Sequence, residues 1–286
     1  MKKILLPFLA LILVTGILAG CNSSSSSGSS SGSSKGNSTD TLAAAKEKGV
    51  LVVGSSNDAP FAYIDQKTHK FSGIDAEIIT EIAKRLGIPK VEMKQTKFEN
   101  LLLELNNKNI DLVTDAMYIN PKRQKIAKFT NIWYKEGEAI IVPTNSPIKS
   151  LSDLKTRTVG AQKGTGFYEL ADKLYKDGNI KKLSVFGSQA DLLMAANTGK
   201  VDAVITDGAV AAYSLKTDPS LKLKLLSPYT PQAAGKIGAA ARKSDTKLVN
   251  AINQQLDILK ENGFIEKVLK KYGMPEDYFV PVEDEK

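Results

Sequence analysis

Residues 73–123 read GIDAEIITEIAKRLGIPKVEMKQTKFENLLLELNNKNIDLVTDAMYINPKR. Ile74, Ile78, Ile79, Ile82 and Leu86 recur at the spacing that places them on one helical face, and Gly87 and Pro89 stop that helix. Thr96 and Glu99 have the pattern of a capping box, which predicts a second helix carrying Phe98, Leu101, Leu102 and Leu105. Ile110 to Thr114 then reads as a short apolar strand. Upstream, Val50 to Gly54 is another, followed by a hairpin around Asp65 to His69 that closes at Lys70 to Ser72. Alternating strands and helices predict an α/β fold whose sheet is mainly parallel and carries helices on its faces, an architecture that gathers ligands at the carboxyl ends of its strands.

Just past one such end, Asn120-Pro121-Lys122-Arg123 opens a helix: Asn120 suits the N-cap and Pro121 the first helical position. A helix start carries partial positive charge and N–H groups without intrahelical partners, so Arg123 is misplaced there unless an anion lies between them. A guanidinium fork matches a carboxylate with two parallel hydrogen bonds. A ligand carboxylate answers both demands. On this segment alone, a surface arginine paired with a neighbouring Glu or Asp is the alternative.

A second alternating unit starts near Ser146. Arg157 to Gln162 reads as a strand, Gly164-Thr165-Gly166 as a tight turn and Phe167 to Lys176 as a helix. Ser188 and Asp191 cap a further helix, and Val201 to Thr206 is a strand that delivers Asp207. Glu138 to Thr144 and Thr230 to Gly238 are extended segments flanking this unit, so the chain leaves the first lobe and later returns to it through two connections that imply a hinge. Leu248, Ile252, Leu256 and Leu259, then Ile265, Val268, Leu269 and Tyr272, give two closing helices that pack back on the first lobe. A ligand site between two lobes follows.

The N-terminus addresses the chain. Lys2 and Lys3 precede an apolar run from Ile4 to Leu18 that is short for a membrane span and ends in Leu18-Ala19-Gly20-Cys21. This run resembles the bacterial lipobox, in which the cysteine is acylated and begins the mature protein. Cys21 is the single cysteine of the chain, so no internal disulfide is possible. Asn22 to Thr39 is mostly Ser and Gly and suits a flexible tether. Loss of Lys2 and Lys3 with residues 1–20 lowers the formal charge from +8 to +6. The lysines are scattered without interleaved aromatics, which speaks for a solvated surface and against nucleic acid.

With these pieces placed, the chain from Leu42 to Val280 resembles family 3 extracellular solute-binding proteins, the amino-acid-type receptors of ABC importers. The resemblance rests on Ala59-Pro60-Phe61, Gly73-Ile74-Asp75-Ala76-Glu77, Met117 to Arg123, Gln162-Lys163-Gly164-Thr165-Gly166, Asp202 to Asp207, Asn262-Gly263 and Lys271-Tyr272-Gly273. It implies a two-lobed, type II periplasmic-binding-protein fold. Residues 1–20 are then the signal peptide, 21–41 the tether, 42–142 with 236–286 the first lobe, and 143–235 the second. It also implies a monomeric receptor on the extracytoplasmic face, which closes over a small zwitterion and docks on a permease driven by an ATPase. The Ser-rich tether suits a Gram-positive cell.

Carried over residue by residue, Arg123 is similar to the family's carboxylate grip, Thr165 to the hydroxyl that meets the same group, and Asp207 to the acceptor of the ligand ammonium. By spacing alone, Asp207 equally suits the N-cap of a helix over Gly208 to Ser214. Tyr118 departs from the family, which commonly places Ser or Thr there. With Phe61 and Phe98 it predicts a ring box for an alkylated or delocalised cation, with Asp58 accepting from the ligand's N–H, as in the ectoine and hydroxyectoine branch. Packing in the core or a lid is the alternative for Phe61 and Phe98.

Other residues carry less. His69 lies in a polar turn, Trp133 and Tyr134 suit packing at the hinge, and Gly164-Thr165-Gly166 lacks the lysine of a nucleotide loop. No metal or cofactor is implied. No carboxylate pair or nucleophile–histidine arrangement stands out for catalysis, so the expectation is a binding protein and not an enzyme.

Overall fold

A computed structural model describes residues 40–285. The expected signal peptide (1–20), Cys21 and the tether as far as residue 39 lie outside the described residues.

The elements follow in chain order. They begin with α1 (Thr41–Lys48), β1 (Val50–Ser55), β2 (Tyr63–Ile64), β3 (Phe71–Ser72), α2 (Ile74–Arg85), β4 (Lys90–Gln95), α3 (Leu101–Asn106), β5 (Leu112–Val113), α4 (Pro121–Gln124) and β6 (Lys128–Phe129). Then come β7 (Tyr134–Glu136), β8 (Glu138–Pro143), β9 (Thr158–Gln162), α5 (Gly166–Lys176), β10 (Lys182–Phe186), α6 (Gln189–Asn197), β11 (Ala203–Asp207), α7 (Gly208–Thr217) and β12 (Leu223–Leu225). The chain closes with β13 (Gly235–Ile237), β14 (Ala240–Ala241), α8 (Thr246–Glu261) and α9 (Phe264–Lys271).

Two five-stranded sheets form the two lobes. The first has the order β4-β1-β5-β14-β6, with β4, β1 and β5 parallel and β14 antiparallel to both its neighbours. The second has the order β10-β9-β11-β8-β12, with β10, β9 and β11 parallel and β8 antiparallel to β11 and β12. Between the sheets, β7 pairs antiparallel with β13, Tyr134 opposite Ile237 and Glu136 opposite Gly235. β8 belongs to the second sheet, so the outgoing crossing is β7 and not the 138–144 segment. It falls a few residues before the expected boundary at 142/143.

Burial accounts for the helices. In α2, Ile74, Ile78, Ile79 and Ile82 are fully buried, and four such side chains contribute about 6–12 kcal/mol against chain entropy. The turn before α2 needs glycine. Gly73 has φ +120°, and a Cβ there would lie 2.2 Å from the Phe61 carbonyl oxygen. That close approach lets Ile74 N–H donate to Pro60 O and Asp75 N–H to Phe61 O, which ties the first helix of the lobe to the loop carrying Asp58 and Phe61.

One expected cap does not form. The 3-10 turn over Phe98–Asn100 starts at Lys97 with no side-chain cap, Thr96 N–H donates to Ser55 O, and Glu99 pairs with Lys163 at 2.7 Å. A partner from the other lobe has displaced the local one. Ser188 does cap α6 through Asp191 N–H. Trp133 and Tyr134 are fully buried, Tyr134 as the first residue of the crossing strand β7 and Trp133 just before it, and His69 is exposed in its turn.

Candidate functional site

The carboxyl ends of β1, β5, β9 and β11 converge on one cavity between the sheets. Asp58, Phe61, Phe98, Tyr118, Arg123, Thr165 and Asp207 all line it, joined by Asp115, Gln162 and Gln189. The cavity volume is about 20 Å³, about the room of one water molecule, so the two walls nearly meet.

Arg123 sits where local rules place it. Asn120 caps α4 by accepting from Arg123 N–H at 2.9 Å, which fixes the first turn. The guanidinium donates through Nη1 to Tyr118 O and through Nη2 to Gly164 O, both at 2.8 Å, and lies 5.4 Å from the centre of the Phe98 ring. Gly164 belongs to the second lobe, so this side chain spans the cleft. Burial lowers its pKa to about 10, offset in part by the charge of Glu169, and it remains a cation at neutral pH. Its partners are carbonyl oxygens, so its charge is not neutralised by direct pairing, and the fork keeps further N–H donors.

Thr165 is the N-cap of α5. Its hydroxyl accepts from Tyr168 N–H at 3.1 Å and donates to Gln162 O at 2.8 Å, so its proton is already committed within the lobe. The anion-attracting feature of this wall is the start of α5 itself, where Gly166 and Phe167 line the cavity.

Asp207 fills both roles left open by its spacing. One oxygen caps α7, accepting from Ala209 N–H at 2.8 Å and Val210 N–H at 3.0 Å, while the residue lines the cavity. Burial raises its pKa to about 6, against the hydrogen bond from Glu136 and the two capping N–H groups. Glu136, on β7, is buried, with no ordinary donor reaching either carboxylate oxygen. Burial and the neighbouring Asp207 charge push it well above the usual carboxylate range. A proton on Glu136 bridging to Asp207 satisfies both groups, so Asp207 carries the charge of the pair at neutral pH.

On the first lobe, Ser56 Oγ lies 2.7 Å from Asp58 Oδ2 and also contacts Asp115, which accepts from Ser56 N–H and Ser55 Oγ at 2.8 Å each. Burial raises the pKa of Asp58, and burial followed by the Asp58 charge raises that of Asp115 further. Ala116, next in the chain and also lining the cavity, has φ +47°, a left-handed conformation that costs an alanine about 1–2 kcal/mol. Buried Asp75 holds it there, accepting from Ala116 N–H at 2.8 Å and from Tyr134 Oη at 2.7 Å.

The three rings share the cavity but already have protein neighbours. Phe61 stacks on Tyr134 at 6.2 Å, Phe98 lies against Arg123, and Tyr118 meets the Phe167 ring edge-on at 5.4 Å while donating to Glu136 O at 3.3 Å. Sequence reasoning missed Asp115, Gln162, Gln189 and Glu136. Asp115 had left a signal: an acid directly after an apolar strand and eight residues before Arg123.

A model of bacterial extracellular solute-binding proteins, family 3, matches residues 51–275. The L-cystine-binding protein TcyA of Bacillus subtilis is 33% identical over 237 residues, covering 82% of this chain and 84% of that protein. Among solved structures, an ancestral arginine-binding protein bound to arginine superposes with a TM-score of 0.72 at 33% identity, covering 79% of this chain and 98% of that one. An ancestral amino acid-binding protein, a precursor of cyclohexadienyl dehydratase, has the same TM-score at 30% identity, covering 81% and 99%. The two-lobed architecture, the charged cavity at the strand ends and these matches agree: the chain belongs to the bacterial extracellular solute-binding proteins, family 3.

Proposed function

We propose that this protein is the receptor of an ABC importer for a free amino acid, held between the lobes by its α-carboxylate and α-ammonium groups. The observation that carries the reading is that Arg123 and Asp207, opposite in charge and anchored on different sheets, line one cavity. Arg123 and the start of α5 take the carboxylate, and Asp207 takes the ammonium. A zwitterion touches both walls only when the lobes meet, so its differential affinity shifts the population toward the closed form. The lobes move about β7 and β13. Closure also forms Lys122–Glu169 at 2.8 Å, Lys163–Glu99 at 2.7 Å and Tyr63 Oη with Tyr213 Oη at 3.1 Å. The two exposed ion pairs contribute about 0.2–1 kcal/mol each, a small addition to what a ligand bridging both walls contributes.

The receptor acts outside the cytoplasm as a monomer, tethered through acylated Cys21, and hands its ligand unchanged to a permease. The support for the anchor is the Leu18-Ala19-Gly20-Cys21 run. The rings speak less for a ring box, since Phe61 and Phe98 already stack on protein groups.

Thermal unfolding of the detergent-purified full chain against the free amino acids and ectoine tests the reading. A ligand at a hundred times its Kd stabilises by about 2.7 kcal/mol, which for a domain of this size raises Tm by roughly 5–10 °C. At least one amino acid produces such a shift and is recovered unaltered by mass spectrometry. Absence of a shift with every amino acid overturns the reading, and conversion to a new product overturns its non-enzymatic part.

A further inference from the structure

Two glycines from different parts of the fold face one tyrosine. A Cβ on Gly235, the first residue of β13, would lie 2.4 Å from Tyr118 Cδ2 and 2.5 Å from Cε2. On Gly166, the first residue of α5, it would lie 3.3 Å and 3.5 Å from the same two atoms. Neither glycine has a positive φ, so backbone conformation does not require them. The ring does, and glycine in a strand marks just such a close approach.

The Tyr118 ring is fixed on several sides. Its neighbours fasten the segment to the returning strand, Ile119 N–H donating to Lys236 O at 2.9 Å and Gly238 N–H to Met117 O at 3.3 Å. Its hydroxyl donates to Glu136 O of the outgoing strand at 3.3 Å, and its ring meets that of Phe167, on α5 of the second lobe, edge-on with 5.4 Å between centres. Tyr118 thereby packs against the buried side chains of β8, β9 and α5 as well as those of the first lobe. Its own carbonyl accepts from Arg123 Nη1 at 2.8 Å, so the residue touches the carboxylate grip, both crossing strands and the second lobe at once.

We infer that Tyr118 is a positioning residue for closure: its ring, carried by the first lobe and the crossing strands, fills a slot that Gly166 and Phe167 complete only when the cleft shuts. The inference rests on the ligand-driven closure proposed above and assigns this ring to the protein's own interlobe packing, not to the ligand. Packing gained in one of two forms shifts the population toward that form. A contact made only after the lobes meet acts on release more than on capture. Loss of the ring therefore speeds the escape of every ligand by one common factor, whatever its side chain, whereas a ring lying on the ligand discriminates among them.

Calorimetric titration of the detergent-purified full chain with the free amino acids, and stopped-flow measurements through Trp133, the single tryptophan of the chain, decide it. Tyr118→Ser weakens every amino acid that binds at least tenfold, by factors that agree within threefold, and the loss lies in the dissociation rate. Gly235→Ala drives a methyl group into the ring, so it weakens binding at least tenfold in the wild-type background and less than threefold in Tyr118→Ser, where no ring stands in the way. Gly166→Ala, with the looser approach, shows the same suppression with a smaller loss. A Tyr118→Ser loss below tenfold, uneven among ligands or seated in the association rate overturns the inference and leaves the amino-acid reading standing. So does a Gly235→Ala loss that stays above threefold in the serine background. If no amino acid binds the wild type, both fail. Should a glycine variant not fold, the size, evenness and rate of the Tyr118→Ser loss decide alone.

Discussion

Replacing Arg123 by alanine is the sharpest perturbation of this site. Its guanidinium is held in the cleft with its pKa lowered to about 10 by desolvation. Keeping the cation there costs on the order of 3 kcal/mol. A ligand carboxylate offsets that cost when it arrives, and losing it leaves the carboxylate buried with only the α5 N–H groups. The expected loss is about 3 kcal/mol, within the range of about 2–5 for truncating one partner of a buried charge pair, and corresponds to roughly 150-fold in Kd. The assay is isothermal calorimetry with the tightest-binding amino acid, with circular dichroism to establish that the variant is folded. Arg123→Lys keeps the charge but loses the fork, and falls between wild type and alanine. A folded Arg123→Ala protein whose affinity stays within threefold of wild type refutes the assignment of the carboxylate to Arg123.

The remaining predictions concern pH, backbone and closure. Asp207 has a pKa near 6 and takes the ammonium only when ionised, so affinity is constant above about pH 7 and weakens as pH falls through 6. Asp207→Asn removes that dependence, and an identical pH profile in the variant assigns it elsewhere. Asp75 is fully buried, with its pKa raised from 3.8 to about 6 chiefly by desolvation. The folded state therefore holds its proton more tightly, a contribution present below about pH 4 and lost as pH rises through 6, on the order of 3 kcal/mol. Urea unfolding at pH 4.5 and 7.5 shows Asp75→Asn gaining relative to wild type at the higher pH. Gly73→Ala puts a Cβ 2.2 Å from Phe61 O at φ +120° and costs at least about 3 kcal/mol in urea unfolding, because the clash is with backbone that cannot step aside. Lys163→Ala removes one exposed pair between the lobes and weakens ligand binding less than tenfold, with the difference vanishing at high salt.

Much of the site was legible because its parts are built by near neighbours. Asn120 caps the turn that carries Arg123, Thr165 caps α5 and Asp207 caps α7. Each rests on a bond spanning a few residues, so side-chain type and spacing were enough. The alternation of strands and helices and the buried face of α2 were legible for the same reason, since helical periodicity is a local property. The Thr96–Glu99 box failed where this locality failed: Glu99 found a lysine from the other lobe, some sixty residues away.

By itself the sequence determined that this chain makes two α/β units, crosses between them twice, and carries an arginine at a helix start that calls for an anion. Only the tertiary structure decided that β7 and not the following strand makes the outward crossing, and that Thr165 spends its proton within its own lobe. It also decided that Asp58 and Asp115 meet across one serine hydroxyl, and that Glu136 lends a proton to Asp207. These are relations between residues 57 or more positions apart in the cases of Asp58–Asp115 and Glu136–Asp207. Their physics is electrostatic and depends on burial, and neither the distance between two carboxylates nor the water around them is encoded until the sheets place them together.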